Sequence, residues 1–397
     1  MPQEGAKYPE IVIKNHHERR LLKGHLWAFS NELVEVRKDI PVGSVVTLIR
    51  EFDKKPFALG LYNPNSLISA RIISRDVAAT INKDFIKQHI TEAATRRKQI
   101  LQERNTARIV HSESDLLPGL VIEKYDTLFT FQIVSAGMEQ FKAEIIDAIK
   151  ELFFPEAIIE KNSSHLRKLE GLEEIEQLVF GSKTNTIVTD RAGTKFSVSL
   201  LEGQKTGFYL DQMDNRPTIR RYISKDSSVL DLFCNDGGFA LNAALAGAKS
   251  VTAVDASDEA LKNLAKNVTL NSIASGIKSI KADCFDYLKS DEHTYDLIIL
   301  DPPSLAKSKK HIPTAMRAYT DLHRQAIRRL NSGGIIATAS CSHNISREDF
   351  LETIRNAAGI ERKTAVILEE HGAAPDHPVL ITMPETEYLK FFVIQIV

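Results

Sequence analysis

The sequence predicts an α/β chain whose C-terminal half is a doubly wound, mostly parallel sheet of seven strands. Three observations carry that expectation. Ser228-Val-Leu-Asp-Leu-Phe-Cys-Asn-Asp-Gly-Gly-Phe-Ala240 reads as a buried strand, a tight turn and the start of a helix of small residues. Apolar runs then alternate with helical patterns to the end of the chain, at the spacing of parallel strands covered on both faces. Finally, Asp255, Asp301 and Cys341 stand at the ends of the second, fourth and fifth strands, along the edge where open α/β sheets bind their ligands.

A chain of 397 residues exceeds one ordinary core, so two or three domains are expected. Apolar and charged fractions of 43% and 26% are those of a soluble globular protein. The net charge of −1 gives no bulk attraction to nucleic acid, so such binding must come from local patches. No apolar run approaches the roughly 20 residues of a membrane helix, and the N-terminus lacks the apolar centre of a signal peptide. Three cysteines, Cys234, Cys284 and Cys341, argue against a disulfide scaffold. The expected compartment is the cytoplasm, with no membrane partner and no metal site.

Residues 1–78 read as a small β-barrel. Ile11–Ile13, Val45–Ile49, Phe57–Tyr62 and Leu67–Ile73 are strand-like, with turn chemistry at Pro41-Val-Gly43 and Asn63-Pro-Asn65. Arg19, Arg20 and Lys23 precede the only tryptophan, Trp27, and residues 1–80 carry a net charge of +3. That bias suits an RNA-binding accessory domain; a plain barrel with Trp27 in its core is the other reading.

Residues 79–185 read as a linker helix and a small α+β segment. Ile81–Arg104 has helical periodicity, and Arg96-Arg-Lys98 reads as a solvated helix face. Arg108–Val110, Val121–Lys124, Leu128–Val134 and Ala157–Glu160 read as strands, the turn Asp115–Leu120 as a connection, and Met138–Phe153 as an amphipathic helix. The acidic stretch Glu170–Gln177 reads as a surface loop.

Residues 186–397 hold the regular alternation. The strands expected are Val229–Phe233, Ser250–Asp255, Lys278–Lys281, Asp296–Asp301, Gly334–Ser340, Ala365–Leu368 and Tyr388–Ile396. Between them lie helices at Asp258–Asn271, Cys284–Leu288, Ala315–Leu330 and Arg347–Ala358.

The chemistry begins at the first turn. A pyrophosphate site would read G-x-G-x-x-G, but here Asp231 and Asp236 flank the turn with Gly237 and Gly238. Carboxylates repel a pyrophosphate and suit a ligand carrying an ammonium and ribose hydroxyls, as S-adenosylmethionine does. Asp255, about 20 residues on, is placed for the ribose hydroxyls. Asp283 is placed for an adenine amino group or, equally, as the N-cap of the next helix. Cys234 and Cys284 read as packing residues within the cofactor turns.

Asp301-Pro-Pro-Ser304 pins a carboxylate at the sheet edge, and Ser304 cannot stack on a base as methylases of exocyclic amines require. Cys341, in the same rim, suits a cytosine. Its thiolate can add to C6 and make C5 nucleophilic enough to take a methyl group. Nearby cations or the helix beginning near Ser346 would favour that thiolate. Seven basic residues, Lys307, Lys309, Lys310, Arg317, Arg324, Arg328 and Arg329, follow the turn with one acid, Asp321. They hold phosphates or form a solvated face.

With these residues in hand, the chain resembles the RlmI-type family of bacterial large-subunit ribosomal RNA cytosine-C5 methyltransferases. The resemblance runs through His25–Ser30, Leu61–Ser66, Asp115–Val121, Gly203–Gln212, the Asp-Pro-Pro turn, Ser340-Cys-Ser342, Asp376-His-Pro378 and Tyr388-Leu-Lys390. It implies a PUA-type RNA-binding domain, a middle domain, a Rossmann-like class I methyltransferase domain, S-adenosylmethionine as cofactor, ribosomal RNA as partner and a homodimer. It also implies Cys341 as nucleophile and Asp301 as the group fixing the cytosine edge. The cofactor positions are then Phe208, Tyr209, Asp211, Asp231, Phe233, Asp236, Gly237, Gly238, Asp255, Ala256, Asp283, Cys284 and Asp301. Arg19, Arg20, Lys23, Lys307, Lys309, Lys310 and Arg317 are the RNA-binding positions. Two departures stand out: Met213 replaces a family arginine, and Ser304 stands where a wider group of RNA cytosine methylases has a second cysteine. An N-methyltransferase acting on guanine or adenine in RNA, and a non-catalytic RNA-binding ribosome assembly factor, stay open at this point.

Overall fold

The structure is a computed structural model that describes residues 8–201, 208–274, 276–306 and 308–397. Most of the Gly203–Gln212 string up to Gly207, and Lys307, lie outside the described residues. The chain forms two compact units, one of Met1–Ile187, Val198–Phe208 and Pro375–Thr386, the other of Val188–Ser197, Tyr209–Ala374 and Glu387–Val397.

The first unit contains two five-stranded sheets. In the first, Glu10–Ile13 runs parallel to Val45–Arg50, followed by Pro56–Tyr62, Ala70–Ser74 and the short Trp27–Ala28 strand, all antiparallel. The strand expected from Leu67 begins only at Ala70, and Leu67 is exposed. The second sheet runs in the order Ile175–Gly181, Ala157–Asn162, Leu128–Ile133, Leu120–Tyr125 and Thr106–His111. The helices Lys83–Arg96 and Lys142–Phe153 pack on each other and bury Ile86, Ile90, Ile145 and Ile149 in its core.

Three expectations for this unit differ from the structure. Glu170–Gln177 is a surface loop only in its middle, at residues 171–174. Ile175–Gly181 is an edge strand, and Glu170 is buried, accepting from Asn63 Nδ2 (2.9 Å), Ser66 Oγ (2.7 Å) and Arg71 Nη2 (3.1 Å). Arg97 is not on a solvated face. It is 1% exposed and grips Asp115 through both terminal nitrogens, at 2.6 and 2.7 Å. The periodicity over Ile81–Arg104 is broken there into two helices, Lys83–Arg96 and Ile100–Glu103. For Glu170 and Arg97, distant partners satisfy a charge that local sequence assigns to water. Met138–Phe153 is likewise split, into Ala136–Glu139 and Lys142–Phe153.

The second unit carries a seven-stranded sheet. Its elements are β1 (Ser228–Leu232), α1 (Gly238–Leu245), β2 (Ser250–Asp255), α2 (Asp258–Leu270), β3 (Lys278–Lys281), α3 (Cys284–Ser290), β4 (Tyr295–Leu300), α4 (Ile312–Arg328), β5 (Leu330–Ser340), α5 (Arg347–Ile360), β6 (Ala365–His371) and β7 (Lys390–Ile396). The strand order is β3-β2-β1-β4-β5-β7-β6, with β7 antiparallel to both its neighbours. Chain order reverses between β1 and β4, which places the topological switch point beside β1. Leu230, Leu232, Ile298, Leu300, Ile336, Phe350 and Phe392 form the core beneath it. Outside this sheet, Asn185–Thr189 and Lys195–Ser199 pair as a small two-stranded sheet within the stretch where regular alternation was expected to begin. No helix among the described residues is long and apolar enough to cross a membrane.

One core residue makes this unit acid-sensitive. His323, fully buried on α4, has its Nε2 2.9 Å from Thr338 Oγ1, and burial lowers its pKa to about 3. The unfolded chain takes up this proton near pH 6.5, the native one only near 3. Stability is therefore complete above pH 6.5 and falls as pH drops, by about 1.4 kcal/mol per pH unit. Urea denaturation at pH 7.5 and pH 5.0 should show a loss of about 2 kcal/mol, and His323→Gln should remove most of that difference.

Candidate active site at the strand ends

The first turn is built on unusual backbone. Phe233 (φ 61°) and Asn235 (φ 48°) are left-handed although neither is glycine, and Gly237 (φ 86°) follows. Such residues cost about 1 kcal/mol or more each and persist where surroundings fix them. Here Cys284 fixes them, with Sγ accepting from Phe233 N (3.2 Å), while Asp255 Oδ2 accepts from Asn235 N (2.9 Å). The strand thus ends at Leu232, one residue before the expected Phe233. A Cβ at Gly237 would collide with Leu264 and one at Gly238 with Arg216, so both glycines are dictated by close approach.

The acids differ in what they face. Asp231 is buried: Oδ2 accepts from Ala240 N (2.9 Å) and Oδ1 has no hydrogen-bond partner. Burial, with the charges of Asp301 and Asp255, holds its carboxyl well above the usual range. An orphaned acceptor at a switch point fits a ligand that brings a donor, such as an ammonium. Burial also raises Asp236, against the pull of Arg216. Asp255 accepts one backbone N–H on each oxygen, from Ser257 and Asn235, which leaves each a further lone pair. Asp283 Oδ1 caps α3 through Phe285 N (2.9 Å) and Asp286 N (3.1 Å), as one of its two readings required. Ala256 is exposed beside Asp255. Cys284 is engaged inside the turn, donating also to Val254 O (3.4 Å), and burial pushes its thiol up to about 12. Its side chain is thus engaged in shaping the turn. Phe208 is buried and belongs to the first unit.

Asp301 and Cys341 are brought together at the sheet edge. Leu300 pairs with Thr338 in parallel register, and each of the two residues immediately follows its strand. Both charges act on Tyr209 and on Tyr319. Burial first, then the charges of Asp211 and Asp301, pushes the Tyr209 phenol up to about 12. Gln212 Nε2 donates to Asp301 Oδ2 (3.1 Å), Asn215 Nδ2 donates to Gln212 Oε1 (2.7 Å), and Tyr388 hydroxyl donates to Asp211 Oδ2 (2.7 Å).

The Cys341 loop is tied from three sides. Ser342 Oγ lies 3.0 Å from Ser304 Oγ, Tyr319 hydroxyl donates to Ser340 Oγ (3.0 Å), and Lys390 Nζ donates to Ser342 O (2.8 Å). Ser304 therefore joins the Asp-Pro-Pro turn to the cysteine loop. Cys341 itself is partly exposed, unlike Cys234 and Cys284.

Comparison with known proteins decides the family. Residues 11–75 match the PUA-like domain family, and residues 186–336 the TRM5/TYW2 methyltransferase domain family. The ribosomal RNA large subunit methyltransferase I of Klebsiella pneumoniae (strain 342) is 34% identical over 97% of this chain and 98% of its own. That of Pseudoalteromonas translucida is 34% identical over 96% and 97%. The chain belongs to the ribosomal RNA large subunit methyltransferase I family. A solved structure of a protein assigned as a methyltransferase, complexed with SAH, covers 98% of this chain and 100% of its own at TM-score 0.84 and 21% identity, which shows the shared fold.

The chain places its basic residues unevenly. Arg19, Lys23, Lys309, Lys310 and Arg317 are exposed. Arg20 is a structural clamp, bonded to Glu32 Oε2 (2.8 Å) and Trp27 O (2.9 Å) and lying over the Phe29 ring. Arg324 and Arg328 both pair with Glu361. Met213, where the family has an arginine, is fully buried and packs as a hydrophobic residue. Trp27 is partly buried and packs against the barrel core, while its Nε1 donates to Glu113 Oε1 (2.8 Å) and Arg71 lies over its ring. The helix near Ser346 is a poor source of positive field for Cys341. A capping box between Ser346 and Asp349 already occupies its first turn, with Glu348 alongside. Gln212 and Lys390 were legible only as members of quoted strings; their bonds to Asp301 and the Cys341 loop had no local signal.

Proposed function

We propose that this protein methylates C5 of a cytosine in large-subunit ribosomal RNA, with S-adenosylmethionine as methyl donor and Cys341 as nucleophile. The observation that carries the reading is a partly exposed cysteine and a carboxylate following adjacent parallel strands, beside the acid-lined turn at the switch point. The names of the relatives support ribosomal RNA as substrate.

S-adenosylmethionine, when bound, supplies an electrophilic methyl group and departs as S-adenosylhomocysteine. Asp231, Asp236 and Asp255, with Tyr209, Asp211, Phe233 and the backbone of Gly237 and Gly238, would hold it. Asp283, through the oxygen outside its cap, suits the adenine amino group. On the RNA, the Cys341 thiolate adds to C6, breaking the C5–C6 π bond and placing its electrons on C5. Asp301, fixed by Gln212, receives the donor edge of the cytosine. Once C5 carries the methyl group, its proton leaves to a base, and the C6–S bond breaks to restore the double bond and the thiolate. Residues 1–78 form the RNA-binding domain and 79–185 the middle domain; Arg19, Lys23, Lys309, Lys310 and Arg317 hold phosphates.

Two experiments test this. RNA carrying 5-fluorocytidine at its cytosines should trap a covalent complex that survives denaturing electrophoresis, because fluorine cannot leave as the proton does. If intact wild-type enzyme turns over such RNA without any adduct, the covalent route is wrong. Asp255→Ala should weaken S-adenosylmethionine binding about tenfold or more in calorimetry, the loss of a charge-assisted hydrogen bond pair.

A further inference from the structure

We propose that Lys390 is a positioning residue of this site, held against the Cys341 loop so that its ammonium favours the thiolate. This deepens the reading of Cys341 as nucleophile and rests on it. Lys390 opens β7 opposite Ser340, the last residue of β5. It is only 8% exposed, and its Nζ donates to Ser342 O (2.8 Å) and Tyr388 O (2.9 Å). Two carbonyls orient the ammonium without neutralising it, and the Ser342 carbonyl belongs to the residue immediately after Cys341.

A buried lysine costs several kcal/mol to keep charged unless an anion shares its surroundings. Burial lowers the ammonium's pKa, and the Cys341 charge opposes that most strongly, ahead of Glu387 and Asp349. Reciprocity makes the ammonium stabilise the thiolate by the same interaction. Among the described residues, the groups that face Cys341 or border its loop include Asp301 after β4, Tyr319 on α4, Tyr209, His343 of its own loop near Tyr388, and Lys390 on β7. Asp301 opposes a second negative charge, the tyrosines stay neutral, and Lys390 is the cation of the set. The alternative source, the first turn of α5, already faces its own Glu348 and Asp349. The thiol proton passes to solvent, and no other bond changes before the nucleophile meets its base.

The test reads the thiol directly, in the full-length protein without RNA. Iodoacetamide alkylation of Cys341 is followed from pH 5.5 to 10 by peptide mass spectrometry. Cys234 and Cys284 are buried with thiols pushed far up, so neither competes. Wild type should show a midpoint below the ordinary thiol value of about 8.5. Lys390→Met should raise it by about one pH unit and slow alkylation about tenfold at pH 7, whereas Lys390→Arg should stay near wild type. An unchanged midpoint in folded Lys390→Met overturns the proposal. Should that variant fail to fold, a wild-type midpoint at or above 8.5 overturns it and a lower one upholds it. If the methylated product is not 5-methylcytidine while the midpoint shift is seen, the failure lies with the reaction and not with Lys390.

Discussion

Replacing Cys341 by alanine is expected to lower methyl transfer to ribosomal RNA more than about 10³-fold, with S-adenosylmethionine affinity unchanged. The carbon at C5 of cytosine is too weak a nucleophile to take a methyl group unaided, so loss of the adding thiolate removes a step that nothing else in the site performs. The fold should tolerate the change. The loop around Cys341 is held through Ser340, Ser342 and Lys390, whose bonds do not depend on the side chain at 341. Cys341→Ser should be nearly as inactive, because an alkyl hydroxyl is far less acidic than a thiol and stays protonated at neutral pH. Single-turnover assays with labelled methyl donor, with calorimetry on the same samples, separate loss of chemistry from loss of binding. Residual activity within tenfold of wild type would move the reaction to a nitrogen acceptor.

Asp115→Ala should be the most destabilising single substitution in the first unit. Its side chain is fully buried and receives two nitrogens of Arg97, two of Arg96 and the backbone N–H of His111 (2.6 Å). Arg97 also donates to Asp376 O (3.0 Å), and Asp376 in turn accepts from Arg108 N and pairs with Arg104 (2.9 Å each). Removing one carboxylate leaves a guanidinium that is 1% exposed without its counter-charge. Such a loss costs about 3–5 kcal/mol, or roughly 10 °C in melting temperature for a unit of this size. Differential scanning calorimetry decides it; a shift below about 2 °C would mean that the network is dispensable. Asp115→Asn should recover part of the loss by keeping the backbone acceptor.

The contrast between these two sites explains what was legible in the sequence. Cys341, Asp301 and Asp255 announce themselves because each follows an apolar run, and strand ends in a parallel sheet converge on one edge whatever the detail between them. The strands of the seven-stranded sheet were found to within a few residues, since most of them are written as apolar runs. Glu170, Arg97 and Asp115 were illegible for the opposite reason. Their burial depends on partners far along the chain, Asn63 and Ser66 for Glu170, Asp376 for Arg97, and no local pattern reports a charge that will be neutralised from a distance. The same applies to the residues that aim the chemistry. Gln212 reaches Asp301 across 89 positions and Lys390 reaches Ser342 across 48, so both read as unexplained letters until the sheet brings them together. Phe233 shows a subtler failure: its apolar side chain suits a strand, but its backbone is already turning.

The most direct measurement of the account is nucleoside mass spectrometry of large-subunit ribosomal RNA incubated with the purified protein and methyl-labelled S-adenosylmethionine. The label should appear in 5-methylcytidine alone, and should vanish with Cys341→Ala. Label in a methylated guanosine or adenosine, with cytidine unmodified, would contradict the assignment of Cys341 as nucleophile.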